Sequence, residues 1–257
     1  MQIMTFNVRG SFHDDGDNDW EKRKALNIAT LRSYAPDIFG IQEAQSGNLD
    51  AYAAELPEYE VEEGPISIRL NERYHRVPIY WKRDRYQRVD GGGFYLSETP
   101  DEFSHGWGAD LARAVTWVRL NDGRTDFVVL NTHFHHETDF HHGRAESARL
   151  IVSRLSAFDV PHIVMADFNA LSDSDAYHVF MEAGYVDSYS DGEPQPNTFH
   201  NFEGEAFAMQ GVRIDWILTR GTAAQPIRAL NCAVITDAEP PIYPSDHYPV
   251  MADLEML

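Results

Sequence analysis

Residues 162–170, HIVMADFNA, constrain the fold more than any other segment, because an apolar run stops there at an acid, an aromatic ring and an amide. A short apolar run of this kind is typical of a buried strand. Side chains alternate between the two faces of a strand, so we expect Asp167 and Asn169 to point the same way and Phe168 to turn into the packing. The segment therefore predicts a buried strand that presents a carboxylate and a carboxamide together at its end.

A second interpretation of the same segment is purely structural. Asp167 would close an Asx turn and Asn169 would begin the next loop, as these residue types often do after strands. However, residues 172–174, SDS, already supply caps for a helix predicted over 175–183, and Gly184 supplies its end. Capping of that helix therefore does not require Asp167 or Asn169.

The same pattern recurs in five other apolar segments, which also end in or enclose polar side chains. These side chains are Asn7, Glu43, His133, Asp215, and the adjacent pair Asp246 and His247. Taken singly, each has another explanation; Glu43, for example, is also placed to cap a helix predicted over 48–55. Six such strand ends are difficult to explain as independent turns. Together they predict a site at one edge of a sheet.

Asp215 is the most constrained of these acids, because it lies among apolar residues in RIDWIL, residues 213–218. A buried carboxylate needs a partner to offset its desolvation. His247 is the natural partner, although the triplet SDH, residues 245–247, also suits a polar turn. We therefore expect Asp215 and His247 to pair.

The composition favours one domain over residues 1–257, because 43% of the residues are apolar and no linker divides the chain. The first residues, 1–8, alternate as a strand does and lack the basic and apolar regions of a secretory signal, so we expect a cytoplasmic protein. Cys232 is the single cysteine, which excludes a disulfide within the chain and a thiolate metal cage. The chain also offers no segment for a membrane, and we expect a monomer.

The charge argues against long nucleic acids as partners. The chain carries 41 acidic and 21 basic residues, for a formal net charge of −20, and only three of the bases are lysines. No bulk positive field therefore exists to attract a polyanion. Scarce lysine with abundant acid is also typical of a salt-adapted surface.

The segment HFHHETDFHHGR contains five histidines within residues 133–142, before an amphipathic helix predicted over 144–158. His135 with His136 or His141 offers ligands for a transition metal such as zinc. The alternative is that these histidines face solvent. His133 differs from the others because it lies at the end of a strand.

The order of six motifs, FNVRG, GIQE, NTH, ADFN, RIDWIL and SDHYPV, resembles the endonuclease/exonuclease/phosphatase superfamily of metal-dependent phosphohydrolases across essentially the whole chain. The segments LSETP, NTHFHH and SDHYPV are similar to a prokaryotic branch related to the deadenylase and nocturnin-like group. The resemblance implies an α/β (α+β) fold, a four-layered αββα sandwich of two mixed β-sheets flanked by helices.

The resemblance also implies a metal site. By matching motif, Glu43 resembles the principal Mg²⁺ ligand, with Asn7 beside it and Asp246 near the metal directly or through water. Hard oxygen ligands suit Mg²⁺ or Mn²⁺.

Five further residues resemble the groups that act on water and phosphate. Asp167 resembles the residue that orients or deprotonates the attacking water, and Asn169 the amide that holds water or a phosphate oxygen. His247, oriented by Asp215, and His133 resemble the histidines that donate to non-bridging oxygens as negative charge grows.

The chain departs from the family pattern in residues 71–81, NERYHRVPIYW. Many relatives carry a small or acidic residue just before this apolar strand, whereas this chain offers Arg73, His75 and Arg76. Arg76, and Arg213 in RIDWIL, are candidate ligands for a substrate phosphate. The alternative for the arginines at 73 and 76 is that they are solvent-facing charges on an edge strand.

The function expected from these observations is a Mg²⁺-dependent phosphoesterase that hydrolyses a phosphodiester or phosphomonoester by in-line attack of water. Its partner would be a small phosphate ester or a nucleic-acid end. Three alternatives remain at this stage: a nuclease acting on DNA or RNA ends, a histidine-bound zinc hydrolase, and a non-catalytic binding module on the same fold.

Overall fold

The computed structural model describes residues 1–70, 73–189 and 196–257. Its helices are α1 (Trp20–Tyr34), α2 (Ser46–Glu55), α3 (His141–Leu155) and α4 (Asp175–Glu182). The strands of the amino-terminal half are β1 (Gln2–Asn7), β2 (Ile38–Gln42), β3 (Tyr59–Glu62), β4 (Ile68–Leu70), β5 (Arg73–His75), β6 (Ile79–Lys82), β7 (Gln87–Tyr95) and β8 (Ala114–Asn121). Those of the carboxy-terminal half are β9 (Asp126–His133), β10 (His162–Asp167), β11 (Val186–Asp187), β12 (Asp215–Arg220), β13 (Ile227–Val234) and β14 (Val250–Met256).

The strands form two six-stranded mixed sheets and one short hairpin. The first sheet has the order β13-β14-β1-β2-β6-β3, and the second has the order β11-β12-β10-β9-β8-β7. One central pair in each sheet is parallel, β1 with β2 and β9 with β10, and the other pairs are antiparallel. The hairpin is formed by β4 and β5. The two mixed sheets that the family resemblance implies are thus confirmed.

The two sheets pack face to face over a shared apolar layer. Ile3 and Ile38 of the first sheet belong to the same buried cluster as Val129, Ile163 and Met165 of the second. Every second residue of these strands points into this layer, as strand geometry requires. The residues between them face the opposite side, so the central strands are buried on both faces.

The opposite faces of the sheets are covered by helices. Met4 of β1 packs in a cluster with Ile28 of α1 and residues of α2. Val128 and Val164 of the second sheet pack in a cluster with Ile151 of α3 and residues of α4. The layers therefore run helix, sheet, sheet, helix, which confirms the expected αββα sandwich.

The sheets approach closely at Gly40, beside a polar link between the layers. The Gln42 side-chain amide donates to Asn131 Oδ1 at 2.6 Å, and Asn131 Nδ2 donates to the backbone oxygens of Ile41 and Pro78 at 2.8 and 2.9 Å. A Cβ at Gly40 would lie 2.7 Å from Asn131 Cγ, so a larger residue would push the sheets apart. This link fixes the relative position of β2 and β9, whose ends carry the polar residues discussed next.

Helix boundaries differ modestly from those expected. Helix α3 begins at His141 and ends at Leu155, three residues earlier at each end than the 144–158 pattern suggests. The shift has a local cause, because Arg144 lies in the first turn and donates to backbone oxygens of the preceding loop. Within the described residues, no helix is long and apolar enough to cross a membrane.

Candidate active site

The register of the second sheet places three polar residues in one row. Asp167 at the end of β10 is paired with His133 at the end of β9 and with Asp215 at the start of β12. Asn7 ends β1 of the first sheet, and Glu43 follows β2 directly. Of these residues, Glu43, His133 and Asp167 line a cavity of about 480 Å³.

Asp167 lies at the centre of the contacts. Its Oδ1 accepts the backbone N–H of Asn169 at 2.9 Å, while its Oδ2 accepts Asn7 Nδ2 at 3.0 Å and lies 3.3 Å from His133 Nε2 and 3.7 Å from His247 Nε2. One oxygen thus closes the turn and the other faces the cavity, so both interpretations of this acid hold. Phe168, as expected, turns away and stacks on Trp216 at 4.4 Å between ring centroids.

The electrostatic environment of Asp167 and His247 moves both pKa values upward. Burial, and then repulsion from Asp215, raise the pKa of Asp167 to about 7. Burial alone would lower the pKa of His247, but the negative charges of Asp215 and Asp167 outweigh it and raise that pKa to about 10. The structure therefore places a carboxyl group that titrates near neutrality beside a protonated imidazole.

His247 is held by an acid whose own position is fixed. Its Nδ1 donates to Asp215 Oδ2 at 2.9 Å, and the backbone N–H of Asp215 donates to Thr198 Oγ1 at 3.2 Å. Asp215 is fully buried. The expected partnership between Asp215 and His247 is thus present, and His247 Nε2 is left to face the cavity.

His133 and Asn169 form the neighbouring wall. Asn169 Nδ2 donates to the backbone oxygen of Phe134 at 3.1 Å and lies 3.0 Å from His133 Nε2. Burial, and then the positive charge of Arg113, hold the pKa of His133 well below its usual value. This imidazole is therefore neutral, unlike that of His247.

The oxygen-rich side of the cavity is built around Glu43. Its Oε1 accepts Asn7 Nδ2 at 3.1 Å and its Oε2 lies 3.3 Å from His13 Nε2. Burial alone would raise the pKa of Glu43, but the contact with His13 and electrostatic interactions with the surrounding histidines and Arg9 hold it well below its usual value. Asp246 faces the same space, with Oδ2 3.7 Å from the Arg9 guanidinium. Burial raises the pKa of Asp246.

These groups fit a hard divalent cation. Glu43 and Asp246 offer carboxylate oxygens to the cavity, and Asn7 lies beside Glu43. Oxygen donors of this type suit Mg²⁺ or Mn²⁺. Backbone strain accompanies them, because Arg9, Glu43 and Asn169 all adopt positive φ angles, of 49°, 61° and 47°. Such strain in residues other than glycine is concentrated at functional sites.

A second arrangement of potential ligands is explained without a metal. Asp167, Asp215 and His247 each offer one potential ligand atom, and these three atoms lie within 4.8 Å of one another. Among the described residues, this is the set of three histidine, cysteine or acidic side chains that meets this distance. However, His247 Nδ1 is engaged by Asp215, and the raised pKa of His247 keeps its other nitrogen protonated. The trio is therefore an ion-paired network.

The structure brings eight of the ten sequence-predicted site residues to one place. They are Asn7, Glu43, His133, Asp167, Asn169, Asp215, Asp246 and His247. The two arginines expected to bind substrate, Arg76 and Arg213, are not among the residues that line the cavity. Arg213 is buried against Asp187, with 2.6 Å between Nη2 and Oδ2, and the Arg76 guanidinium bonds to the Gly64 backbone oxygen and lies 3.5 Å from Glu63. The Arg73 side chain lies outside the described residues.

Several residues that line the cavity were not predicted as site residues from the sequence. They are Arg9, His13, Leu111, Arg113, Phe199 and Ile214, and they are joined by His75 and by His136. Arg9 is held by Asp15 through two contacts of 3.2 and 2.9 Å. The sequence gives no period or motif for most of them, because they come from loops and strand starts that only the tertiary fold brings together.

The remaining loop histidines take separate contacts. His135 Nε2 donates to the backbone oxygen of Leu111 at 2.9 Å, His141 lies 3.3 Å from Arg144 Nη2, and His142 is largely exposed near Glu146. In the part of the chain that the structure describes, they do not converge as a zinc site requires. The zinc-hydrolase alternative therefore lacks a formed ligand set.

Comparison with known proteins agrees with this geometry. The sequence pattern of the endonuclease/exonuclease/phosphatase family matches residues 4–247. The mannosyl-6-phosphatase of Bacteroides thetaiotaomicron VPI-5482 is 27% identical, with a TM-score of 0.87 and 99% of each chain covered. A family protein from Bacteroides vulgatus is 29% identical, with a TM-score of 0.87, covering 100% of this chain and 98% of that one.

A more distant neighbour shares the fold alone. The catalytic domain of human Nocturnin is 20% identical, with a TM-score of 0.73, covering 100% of this chain and 94% of that one. No curated protein sequence matches the chain. With the family pattern covering nearly all of the chain and the site at the expected sheet edge, the protein belongs to the endonuclease/exonuclease/phosphatase family and is a hydrolase of phosphate esters.

Proposed function

We propose that the protein is a Mg²⁺-dependent phosphoesterase that hydrolyses a small or terminal phosphate ester by in-line attack of water. The observation that carries the proposal is the position of Asp167, a carboxyl group with a pKa of about 7, within 4 Å of both His133 and His247. A general base works best when its pKa lies near the working pH. Asp167 would accept the proton of the attacking water, which Asn169 helps to hold.

The two histidines would contact the phosphate oxygens. His247 is protonated and fixed by Asp215, so its Nε2–H can donate to a non-bridging oxygen. Such a donor is worth most where negative charge develops, in a site from which water is excluded. His133, neutral and close to Asn169, would supply a second, weaker contact.

Glu43, with Asn7 and Asp246 beside it, would hold Mg²⁺ or Mn²⁺. The cation would neutralise phosphate charge as a Lewis acid. Asn7 Nδ2 donates to both Glu43 Oε1 and Asp167 Oδ2, and so links the oxygen-rich side to the proposed base.

The charge of the chain supports a small or terminal substrate. With 41 acids against 21 bases, each phosphate beyond those met inside the cavity would face repulsion. The relative from Bacteroides thetaiotaomicron, named for a mannosyl 6-phosphate, makes sugar phosphates reasonable first candidates.

The test is a hydrolysis screen with Mg²⁺, with Mn²⁺ and with a chelator, at low and high salt. The substrates are p-nitrophenyl phosphate, hexose 6-phosphates, 5′-phosphorylated oligonucleotides and supercoiled plasmid. We expect metal-dependent release of phosphate from the small esters and the termini. Efficient nicking of plasmid at low salt, faster than hydrolysis of every small ester, would refute the proposal in favour of a nuclease.

A further inference from the structure

Four arginines of the described chain are buried, and the guanidinium groups of three of them donate to several backbone oxygens or pair with a carboxylate. Arg23 donates to four backbone oxygens, and Arg144 donates to three. Arg213 is paired with the carboxylate of Asp187. These arginines follow the rule that a buried charge is compensated by hydrogen bonds or by an opposite charge.

Arg113, the fourth, departs from this rule. It is 5% exposed, its Nε has no hydrogen-bond partner, and no carboxylate of the described residues lies within 4.0 Å of its guanidinium. The Arg113 Nη2 atom lies 3.4 Å from His136 Nδ1, a distance at the edge of the hydrogen-bond range. Arg113 therefore retains N–H groups that are available to donate to a bound anion.

The uncompensated guanidinium faces the active-site cavity. Arg113 immediately precedes β8 and lines the cavity together with His136, Glu43 and Asp167. Burial lowers the pKa of Arg113 to about 10, and the charges of Glu43 and Asp167 only partly oppose that effect. The acids of the site are therefore near enough to act on it, yet none pairs with it.

We propose that Arg113 binds the phosphate group of the substrate and favours terminal phosphomonoesters over phosphodiesters. This inference rests on the function proposed above and specifies its substrate class. The planar guanidinium matches phosphate oxygens through two parallel N–H donors, which a lysine cannot supply.

Charge explains the preference for monoesters. Near neutral pH a phosphomonoester carries a charge approaching −2, and it presents three terminal oxygens. A phosphodiester carries one negative charge and must leave room for a second ester group. A buried cation without an anionic partner attracts the more highly charged ligand more strongly, because little water is present to screen the electrostatic interaction.

The experiment measures inorganic phosphate binding by calorimetry, with Mg²⁺ and separately with a chelator, for wild type, Arg113→Gln and Arg113→Lys. Arg149→Gln is the control, because Arg149 is an exposed residue of α3 paired with Glu146. Charge-assisted hydrogen bonds of this kind predict a 10- to 100-fold loss of phosphate affinity in Arg113→Gln. Arg113→Lys should fall between that variant and wild type, and the control should match wild type.

Kinetics on two esters test the selectivity. For Arg113→Gln, kcat/KM with p-nitrophenyl phosphate should fall at least tenfold, while that with bis-p-nitrophenyl phosphate should fall less than threefold. Equal losses on both esters would overturn the preference, and unchanged phosphate affinity would overturn the site. Because phosphate binding is measured without turnover, it still decides the site if the wild type hydrolyses neither ester.

Thermal stability separates binding from folding. Without phosphate, Arg113→Gln should melt no lower than wild type, because it removes an uncompensated buried charge. Arg213→Gln, which removes the cationic partner of the buried Asp187, should melt lower. Phosphate should raise the Tm of wild type but not of Arg113→Gln. A large loss of Tm in Arg113→Gln without phosphate would show that Arg113 is structural.

Discussion

Replacing Asp215 by asparagine tests the electrostatic basis of the site, because it keeps the shape of the side chain and removes its charge. Asp215 is the largest contributor to the raised pKa of His247, which lies near 10. The difference from the ordinary value of about 6.5 corresponds to at most about 5 kcal/mol in favour of the protonated imidazole. Without Asp215, the pKa of His247 should fall toward the ordinary value.

The consequence depends on pH in a defined direction. At pH 8, a histidine with a pKa of about 6.5 is protonated in only about 3% of molecules, so the rate should fall by up to about 30-fold. Asp215 also raises the pKa of Asp167, so the variant should keep its base ionised at lower pH than wild type does. Both limbs of the pH–rate profile should therefore move to lower pH, and the relative loss should shrink near pH 6.

The assay is kcat/KM for p-nitrophenyl phosphate with Mg²⁺ between pH 5.5 and 9, together with an NMR titration of the His247 ring. Asp187→Asn is the matched control, because Asp187 is also a buried, ion-paired aspartate but lies outside the cavity. That control should lose stability without moving the pH profile. A profile of Asp215→Asn that overlays wild type would refute the reasoning, as would independent, multiplying losses in the double variant with His247→Ala.

Three other changes test separate parts of the structure. Glu43→Gln should abolish Mg²⁺-dependent hydrolysis and weaken Mg²⁺ binding by calorimetry while leaving the Tm near that of wild type; full activity in Mg²⁺ would remove Glu43 from the metal site. Asp167→Asn should lower kcat by roughly 10²- to 10⁴-fold, as expected for a lost general base, and a loss below about tenfold would move that role elsewhere. Burial lowers the pKa of His162, whose ring lies 3.0 Å from both Tyr185 Oη and the Phe158 backbone oxygen, so protonation is favoured in the unfolded chain. The free energy of unfolding should thus decrease as pH falls below about 6.5, and a His162→Gln variant that shows the same pH dependence would contradict this.

The positions of the strand-end residues could be predicted from the sequence because they follow from local rules. An apolar run that stops at Asp167 or Glu43 marks both the strand and the end that faces the site. The pairing of Asp215 with His247 followed from the cost of burying a carboxylate, although these residues are 32 positions apart. For these residues, the local pattern and one energetic rule were sufficient.

The arginines were not predictable in the same way. A guanidinium on a long side chain reaches several ångströms, and its direction is decided by whichever acceptor the tertiary fold brings near. Arg213 pairs with Asp187 of β11, and Arg76 contacts Gly64 and Glu63, which precede the β4–β5 hairpin in the chain. The sequence around Arg113 does not show that its guanidinium lies beyond the reach of a carboxylate in the folded chain.

The contrast between the chain and its cavity has a physical explanation. The chain as a whole is strongly acidic, yet the cavity lining contains as many cations, Arg9, Arg113 and protonated His247, as carboxylates, Glu43, Asp167 and Asp246. Exposed acids act weakly on the cavity, because salt screens charges beyond roughly 8–10 Å, whereas the lining acts at close range with little water between. A divalent cation would turn the balanced lining into a net positive one. A surface that repels long polyanions can therefore surround a cavity that binds one phosphate.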